Sequence, residues 1–288
     1  MPRERRFDLP GLTLAAVEWE GQGDLPVLAA HGWLDNAGTF DLFAPLLTGC
    51  RLVAVDSAGH GRSGFRSPDA GYALWQDVGD LAGVADALGW KTFRLVGHSR
   101  GAATAMLLAG TFPERVEQLV LIEGGVPIVD AASDAPEALA RALADRRELT
   151  ERQGRLFRTR AEAIAERANG FSPVSIEAAE ILARRSLVEV EGGFRWHVDQ
   201  RLKARSELRF TIDQVMAFAR RVSAPVLMIM AQQSPFAGRA LFREAATWFA
   251  DIETVTLPGR HHLHLEGAEG EIARRMLRFF GVTAAAAE

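Results

Sequence analysis

Ser99 stands where a serine could act as a nucleophile. It lies in Gly97-His98-Ser99-Arg100-Gly101, between an apolar strand pattern over 92–96 and a small-residue helix pattern over 102–109. Glycines two before and two after the serine remove the side chains that a tight strand-to-helix turn would force together. Such a turn lifts the hydroxyl to the positive end of the following helix, where a developing oxyanion is favoured. A serine hydroxyl needs a base to take its proton, and that base needs an acid to fix its tautomer. The sequence offers seven histidines. His31 and His60 lie in glycine loops, His98 sits in the elbow facing away from Ser99, and His197 lies in the segment expected to form a lid. The base is therefore expected among His261, His262 and His264, in the loop after the last strand pattern.

Two further readings of these residues fall away. Three clustered histidines suggest a metal, but no carboxylate at ligand spacing in the sequence accompanies them, so no metal is expected. Gly59-x-Gly61-x-x-Gly64 matches a dinucleotide fingerprint, but a turn-rich run follows it instead of a helix. No nucleotide or other cofactor is expected; Asp56 and these glycines read as a brace beneath the site.

The elements that must position these groups follow in order. A two-stranded edge is expected over 7–19, with further strands over 26–30, 51–55, 92–96 and 118–122. Helices are expected over 40–47, 75–88 and after Ser99. This alternation predicts an α/β fold, a mostly parallel doubly wound sheet with helices on both faces. From 134 to about 221 the pattern is almost wholly helical, apart from a small hairpin near Gly192-Gly193. Strand patterns resume over 225–230 and 252–257, with helices over 238–249 and 270–280 and a frayed tail over 283–288. The expected organisation is a core over 1–129 and 219–288 with a helical cap inserted over 130–218.

Bulk properties narrow the class. The 288 residues carry 33 basic and 37 acidic side chains, a net charge of −4, with 48% hydrophobic residues. Mixed charge gives no reason to expect nucleic acid. A single cysteine, Cys50, excludes an intrachain disulfide and reads as buried filler. Residues 1–6 lack the apolar run of a secretory signal, and no stretch suits a membrane span. A cytoplasmic protein without stable membrane association is expected; oligomeric state is not legible.

Three motifs, His31-Gly32-Trp33, Asp56-x-x-Gly59-His60-Gly61-Arg62-Ser63 and Gly97-His98-Ser99-x-Gly101, resemble the α/β-hydrolase superfamily. The chain is also similar to the serine-hydrolase-like proteins of that superfamily. That likeness rests on His31-Gly32-Trp33-Leu34-Asp35-Asn36, on Gly192-Gly193-x-x-Trp196 with Asp199 and Arg201-Leu202, and on His261-His262-Leu263-His264. The resemblance implies an α/β-hydrolase fold with a helical cap and Ser99 as nucleophile. It also implies that the base precedes a glutamate by five positions, which selects His261 with Glu266 and makes His262 a pocket residue. On geometry alone His262 stays open as the base.

The resemblance further implies an oxyanion hole from the backbone amides of Trp33 and Arg100, with His31, Asp56, His98 and His262 as pocket or supporting residues. Most relatives keep an aspartate after the strand corresponding to 226–230, where this chain reads Ala231-Gln232-Gln233-Ser234. A minority, the haloalkane dehalogenases among them, carry the acid one strand earlier, and Glu123 stands there. Asp251, a purely structural Glu123 and an incomplete triad remain open. The expected activity is hydrolysis of a small, apolar carboxylic ester through an acyl-enzyme. Thioester, lactone and carbon–carbon bond hydrolysis, or binding without catalysis, are the alternatives. Epoxide hydrolases and haloalkane dehalogenases need an aspartate where Ser99 stands.

Overall fold

The computed structural model of the chain describes residues 2–20, 23–236 and 240–282. In chain order the strands are β1 (Arg3–Leu9), β2 (Leu12–Glu20), β3 (Leu25–Ala30), β4 (Cys50–Val55), β5 (Phe93–His98) and β6 (Val116–Ile122). A separate hairpin follows, β7 (Leu187–Val190) with β8 (Gly193–Trp196), and then β9 (Val226–Ala231) and β10 (Ile252–Leu257). The main sheet runs β1-β2-β4-β3-β5-β6-β9-β10, with β1–β2 and β2–β4 antiparallel and every other pair parallel.

Strand composition explains the layers. Along β3, β5, β6 and β9 successive apolar residues point to opposite faces, and both faces are covered. Leu28, Leu95, Leu119, Leu121 and Met228 pack into one core with helices α1 (Leu74–Ala87) and α2 (Arg100–Thr111). Val27, Val96, Val120, Ile122, Leu227 and Ile229 pack into the other, with the C-terminal helix Glu269–Phe279. Each such side chain removed from water contributes about 1.5–3 kcal/mol.

The sequence pattern over 40–47 predicts a helix, but the chain makes two short 3-10 turns, Ala37–Phe40 and Ala44–Leu46. Asn36 caps the first by accepting from the Gly38 amide, and Pro45 in the second has no amide to carry an α-helix forward. The helix expected over 238–249 is observed as Ala240–Ala246. Residues 238 and 239 and the tail over 283–288 lie outside the described residues.

The helical insertion between β6 and β9 comprises α3 (Ala135–Thr150), α4 (Arg160–Ala168), α5 (Ile176–Ser186), the β7–β8 hairpin and α6 (Ile212–Arg221). Thr159, Ser175 and Thr211 cap α4, α5 and α6 by accepting from amides in their first turns. The α4–α5 pair has its own apolar cluster, from Ile164 and Ala168 to Leu182. Helix α6 differs: its Val215 and Ala219 join the sheet-face core beside α2. Among the described residues no helix is long and apolar enough to cross a membrane.

Candidate active site

Three residues other than glycine have positive φ among the described residues: Leu34 (60°), Ser99 (53°) and Glu123 (50°). They lie beyond the C-terminal ends of β3, β5 and β6, which are neighbours in the sheet. Backbone strain of this kind costs on the order of 1–3 kcal/mol and persists only where surroundings enforce it. At Ser99 the enforcement is visible. A Cβ on Gly101 would lie 2.1 Å from the Ala30 carbonyl oxygen, and one on Gly97 would lie 2.4 Å from that of Gly101. Gly101 is thus packed against the end of β3, and Gly97 against Gly101, so closely that only glycine fits at either position.

The hydroxyl exposed by this turn meets the loop after β10. Ser99 Oγ lies 2.9 Å from His261 Nε2, and His261 Nδ1 lies 3.0 Å from Glu123 Oε2. An ionised carboxylate can only accept, so the ring proton belongs on Nδ1 and Nε2 accepts from the serine hydroxyl. Glu123 is fully buried, and its other oxygen accepts from the Ala231 amide at 2.6 Å. The last residue of β9 therefore supplies a backbone donor, while Gln232 and Gln233 in the loop beyond it are exposed. Asp251 is exposed at the opposite end of β10, where its carbonyl accepts from Val226.

The remaining histidines are committed elsewhere. His262 is buried, and its Nε2 lies 3.0 Å from Asp35 Oδ2. His31 donates from Nδ1 to the Gly32 carbonyl at 2.7 Å and accepts from the Ser57 amide at 2.9 Å. His60 donates from Nδ1 to the Ala58 carbonyl at 3.0 Å and accepts from the Leu34 amide at 3.2 Å. Burial holds both rings neutral, His60 well below the usual histidine range with the help of His31 and Arg100. His98 donates from Nε2 to the His261 carbonyl at 3.0 Å. Burial and the neighbouring His264, His261 and His262 hold it well below the usual range. Glu266 accepts from the amide of Ser175, the residue that caps α5.

The side chains of Trp33 and Arg100 have partners of their own. Trp33 donates from Nε1 to the Leu202 carbonyl at 3.0 Å and meets Phe171 edge to face at 5.9 Å. The Arg100 guanidinium pairs with Asp77 and donates to the Tyr72 carbonyl at 3.3 Å. Its amide opens α2, where first-turn N–H groups have no intrahelical acceptor.

Several residues hold the insertion to the sheet, and of these only Asp56 has a supporting role expected from the sequence. Asn36 donates to the Leu182 carbonyl at 2.9 Å and to Ser186 Oγ at 2.7 Å on α5. Asp56 accepts from the Ala37 and Arg62 amides, both at 2.7 Å, and from Arg185 of α5 at 2.8 Å. Arg167 at the end of α4 pairs with Asp35 at 2.7 Å. Tyr72 donates to Asp199 at 2.7 Å. No local pattern announces these pairs, since their members are more than a hundred residues apart.

Asp35, His98 and His262 offer ligand atoms within 4.8 Å of one another and could hold a metal by proximity. Burial alone would push the Asp35 carboxyl up, but His262, Arg167 and His98 hold it well below the usual range. A divalent cation there would face the Arg167 guanidinium across the same carboxylate, which disfavours it.

The α/β-hydrolase fold model matches residues 26–268. A serine hydrolase-like protein of Danio rerio is 32% identical over 278 residues, covering 92% of this chain and 85% of the relative. Serine hydrolase-like protein 2 of Homo sapiens is 31% identical over 282 residues, covering 91% of this chain and 89% of the relative. The crystal structure of a hypothetical protein from Pseudomonas aeruginosa PAO1 aligns with a TM-score of 0.92 at 41% identity, covering 96% of this chain and 99% of that one. From its fold and these similarities, the chain belongs to the α/β-hydrolase fold family and is closely related to the serine-hydrolase-like proteins.

Proposed function

We propose that the chain hydrolyses small, apolar carboxylic esters through an acyl-enzyme on Ser99. The observation that carries this reading is the unbroken line from Ser99 Oγ through His261 to Glu123, at 2.9 and 3.0 Å. His261 Nε2 takes the hydroxyl proton as Oγ attacks the ester carbonyl, and Glu123 stabilises the resulting imidazolium through Nδ1–H. The developing oxyanion is received by the amides of Arg100 and Trp33; losing one such donor typically costs a hundred- to a thousandfold, about 3–4 kcal/mol. His261 then protonates the leaving alcohol, and a water activated by the same ring releases the acid and restores Ser99.

An apolar acyl group suits the surroundings, since Phe236 meets the His261 ring at 5.4 Å and Phe171 packs on Trp33. Thioesters, lactones and carbon–carbon substrates call on the same atoms, and rates on an oxoester and a thioester of equal acyl length separate the first of these. The deciding experiment is labelling with a fluorophosphonate together with turnover of a short activated ester. The expected result is one label per chain, on Ser99, with no label and no turnover in Ser99→Ala. A folded wild-type protein that takes no label would instead be a binding protein on this fold.

A further inference from the structure

Several buried polar groups that this mechanism leaves unused converge on one carboxylate, that of Asp35. Asp35 closes the turn that carries Trp33, its amide donating to the Gly32 carbonyl at 3.2 Å. Its Oδ2 accepts from His262 Nε2 at 3.0 Å, and His262 is the residue next to His261. Its Oδ1 accepts from Arg167 Nη2 at 2.7 Å, and Arg167 belongs to the inserted α4. Both Asp35 and His262 are almost wholly buried. Behind them His98, the residue before Ser99, donates from Nε2 to the His261 carbonyl and leaves Nδ1 unpartnered, 3.7 Å from Asp35 Oδ2.

We infer that Asp35 is a positioning residue that seats His261 and the Trp33 turn together, and that Arg167 makes this seating depend on the docked insertion. The inference rests on the acyl-enzyme reading of Ser99. The physical case is that three segments distant in sequence share one buried charge, so none can move without the others. Removing Asp35 frees the His261 loop from the turn at 32–35. Losing Arg167 keeps the hydrogen bond to His262 but unbalances the charge behind the catalytic ring.

That difference gives the pair an electrostatic signature which a merely structural role lacks. The titratable groups against His261 are Glu123, His98 and His262; Asp35 and His264 stand against His98. With Arg167 absent, the Asp35 charge acts undiluted on these rings and favours their protonation, so the acid limb of the kcat/KM profile moves to higher pH. With Asp35 neutral, the limb moves to lower pH. Each shift should be roughly a few tenths of a unit to one unit, as for a charge acting at several ångströms.

The test compares Asp35→Asn, Arg167→Gln and Arg167→Lys as purified full-length proteins across pH 5 to 9. Asp35→Asn is expected to lose about ten- to a hundredfold in kcat with KM little changed, the scale on which small misplacement acts. Arg167→Gln should lose about three- to tenfold, and Arg167→Lys, which keeps the charge, should recover most of that. Acid limbs that shift in the same direction for Asp35→Asn and Arg167→Gln overturn the inference, as does Asp35→Asn turnover within twofold of wild type. Should Asp35→Asn fail to fold, the Arg167 pair decides: equal activity and equal pH profiles in the Gln and Lys variants overturn it. Fluorophosphonate labelling of the wild type keeps the two readings apart. An unlabelled wild type defeats the acyl-enzyme reading, whereas a labelled wild type with unaffected variants defeats only this one.

Discussion

Two histidine–carboxylate pairs lie side by side, on adjacent residues of one loop. In the first, His261 joins Glu123 and Ser99; in the second, His262 joins Asp35. The hydrogen-bond lengths are equal, 3.0 Å to each carboxylate. What differs is the company of the charge. Glu123 receives only a neutral amide on its second oxygen, and among the described residues His261 is its one ionisable partner. Asp35 receives Arg167 on its second oxygen, so most of its charge is already balanced. The free nitrogen differs too: His261 presents Nε2 to a hydroxyl, while His262 Nδ1 is buried without a partner. A carboxylate with unspent charge can stabilise an imidazolium as it forms; a carboxylate held by arginine serves better as an anchor.

The sharpest way to break this comparison is to exchange each ring for an amide. His261→Gln and Ser99→Ala should each remove ester turnover by about 10⁵- to 10⁶-fold, as in other enzymes whose nucleophile and base act as one unit. His262→Gln should stay within about a hundredfold of wild type. Steady-state assays on folded variants check this, and an inactive His262→Gln beside an active His261→Gln would exchange the two roles.

The carboxylates come next. Glu123→Gln should lower kcat by roughly a hundred- to a thousandfold, about 3–4 kcal/mol, because the amide packs but cannot stabilise the imidazolium. The larger loss on record for such changes, on the order of ten-thousandfold, reflects a ring held in the wrong tautomer. Asp251→Asn is the control and should be silent. Retention of more than half the wild-type turnover in Glu123→Gln would move the acid elsewhere.

A smaller effect should appear in stability against pH. His31, His60, His98 and His264 are all held neutral chiefly by burial. Their folded-state pKa values lie below the unfolded one, so the unfolded chain binds more protons as pH falls through about 6.5. Their contribution is therefore complete at neutral pH and is lost on acidification. Asp41 and Asp80, both pushed up to about 6 chiefly by burial, act in the opposite sense and temper the loss. Thermal unfolding should show a Tm several degrees lower at pH 5.5 than at pH 7.5; an unchanged Tm would contradict this account.

The least dramatic prediction concerns the fastening of α5. Asn36→Ala should lower stability by about 1–3 kcal/mol, the scale for stranding a buried partner such as Ser186, with ester turnover changed less than tenfold. Denaturant titration measures it, and a change below about 0.5 kcal/mol would place the hold on α5 in Arg185 and Asp56 instead.

The sequence alone determined the order of strands and helices, the turn at Ser99 and the helical character of the insertion. Each of these is local: apolar runs make doubly covered strands, and glycines at 97 and 101 permit only one kind of turn. It did not determine the fate of residues 40–47, where Pro45 and the Asn36 cap shorten a helix into two 3-10 turns. Nor could it say which helix packs on α2, because an amphipathic pattern names a buried face but not its partner. The pairing of His261 with Glu123, across 138 residues, depends on where two loops end above the sheet. The pairing of Asp35 with Arg167 depends on how α4 docks onto the turn at 32–35. Side-chain partners of this kind are set by tertiary packing, since adjacent histidines of identical chemistry, their rings only 5.1 Å apart, meet different carboxylates.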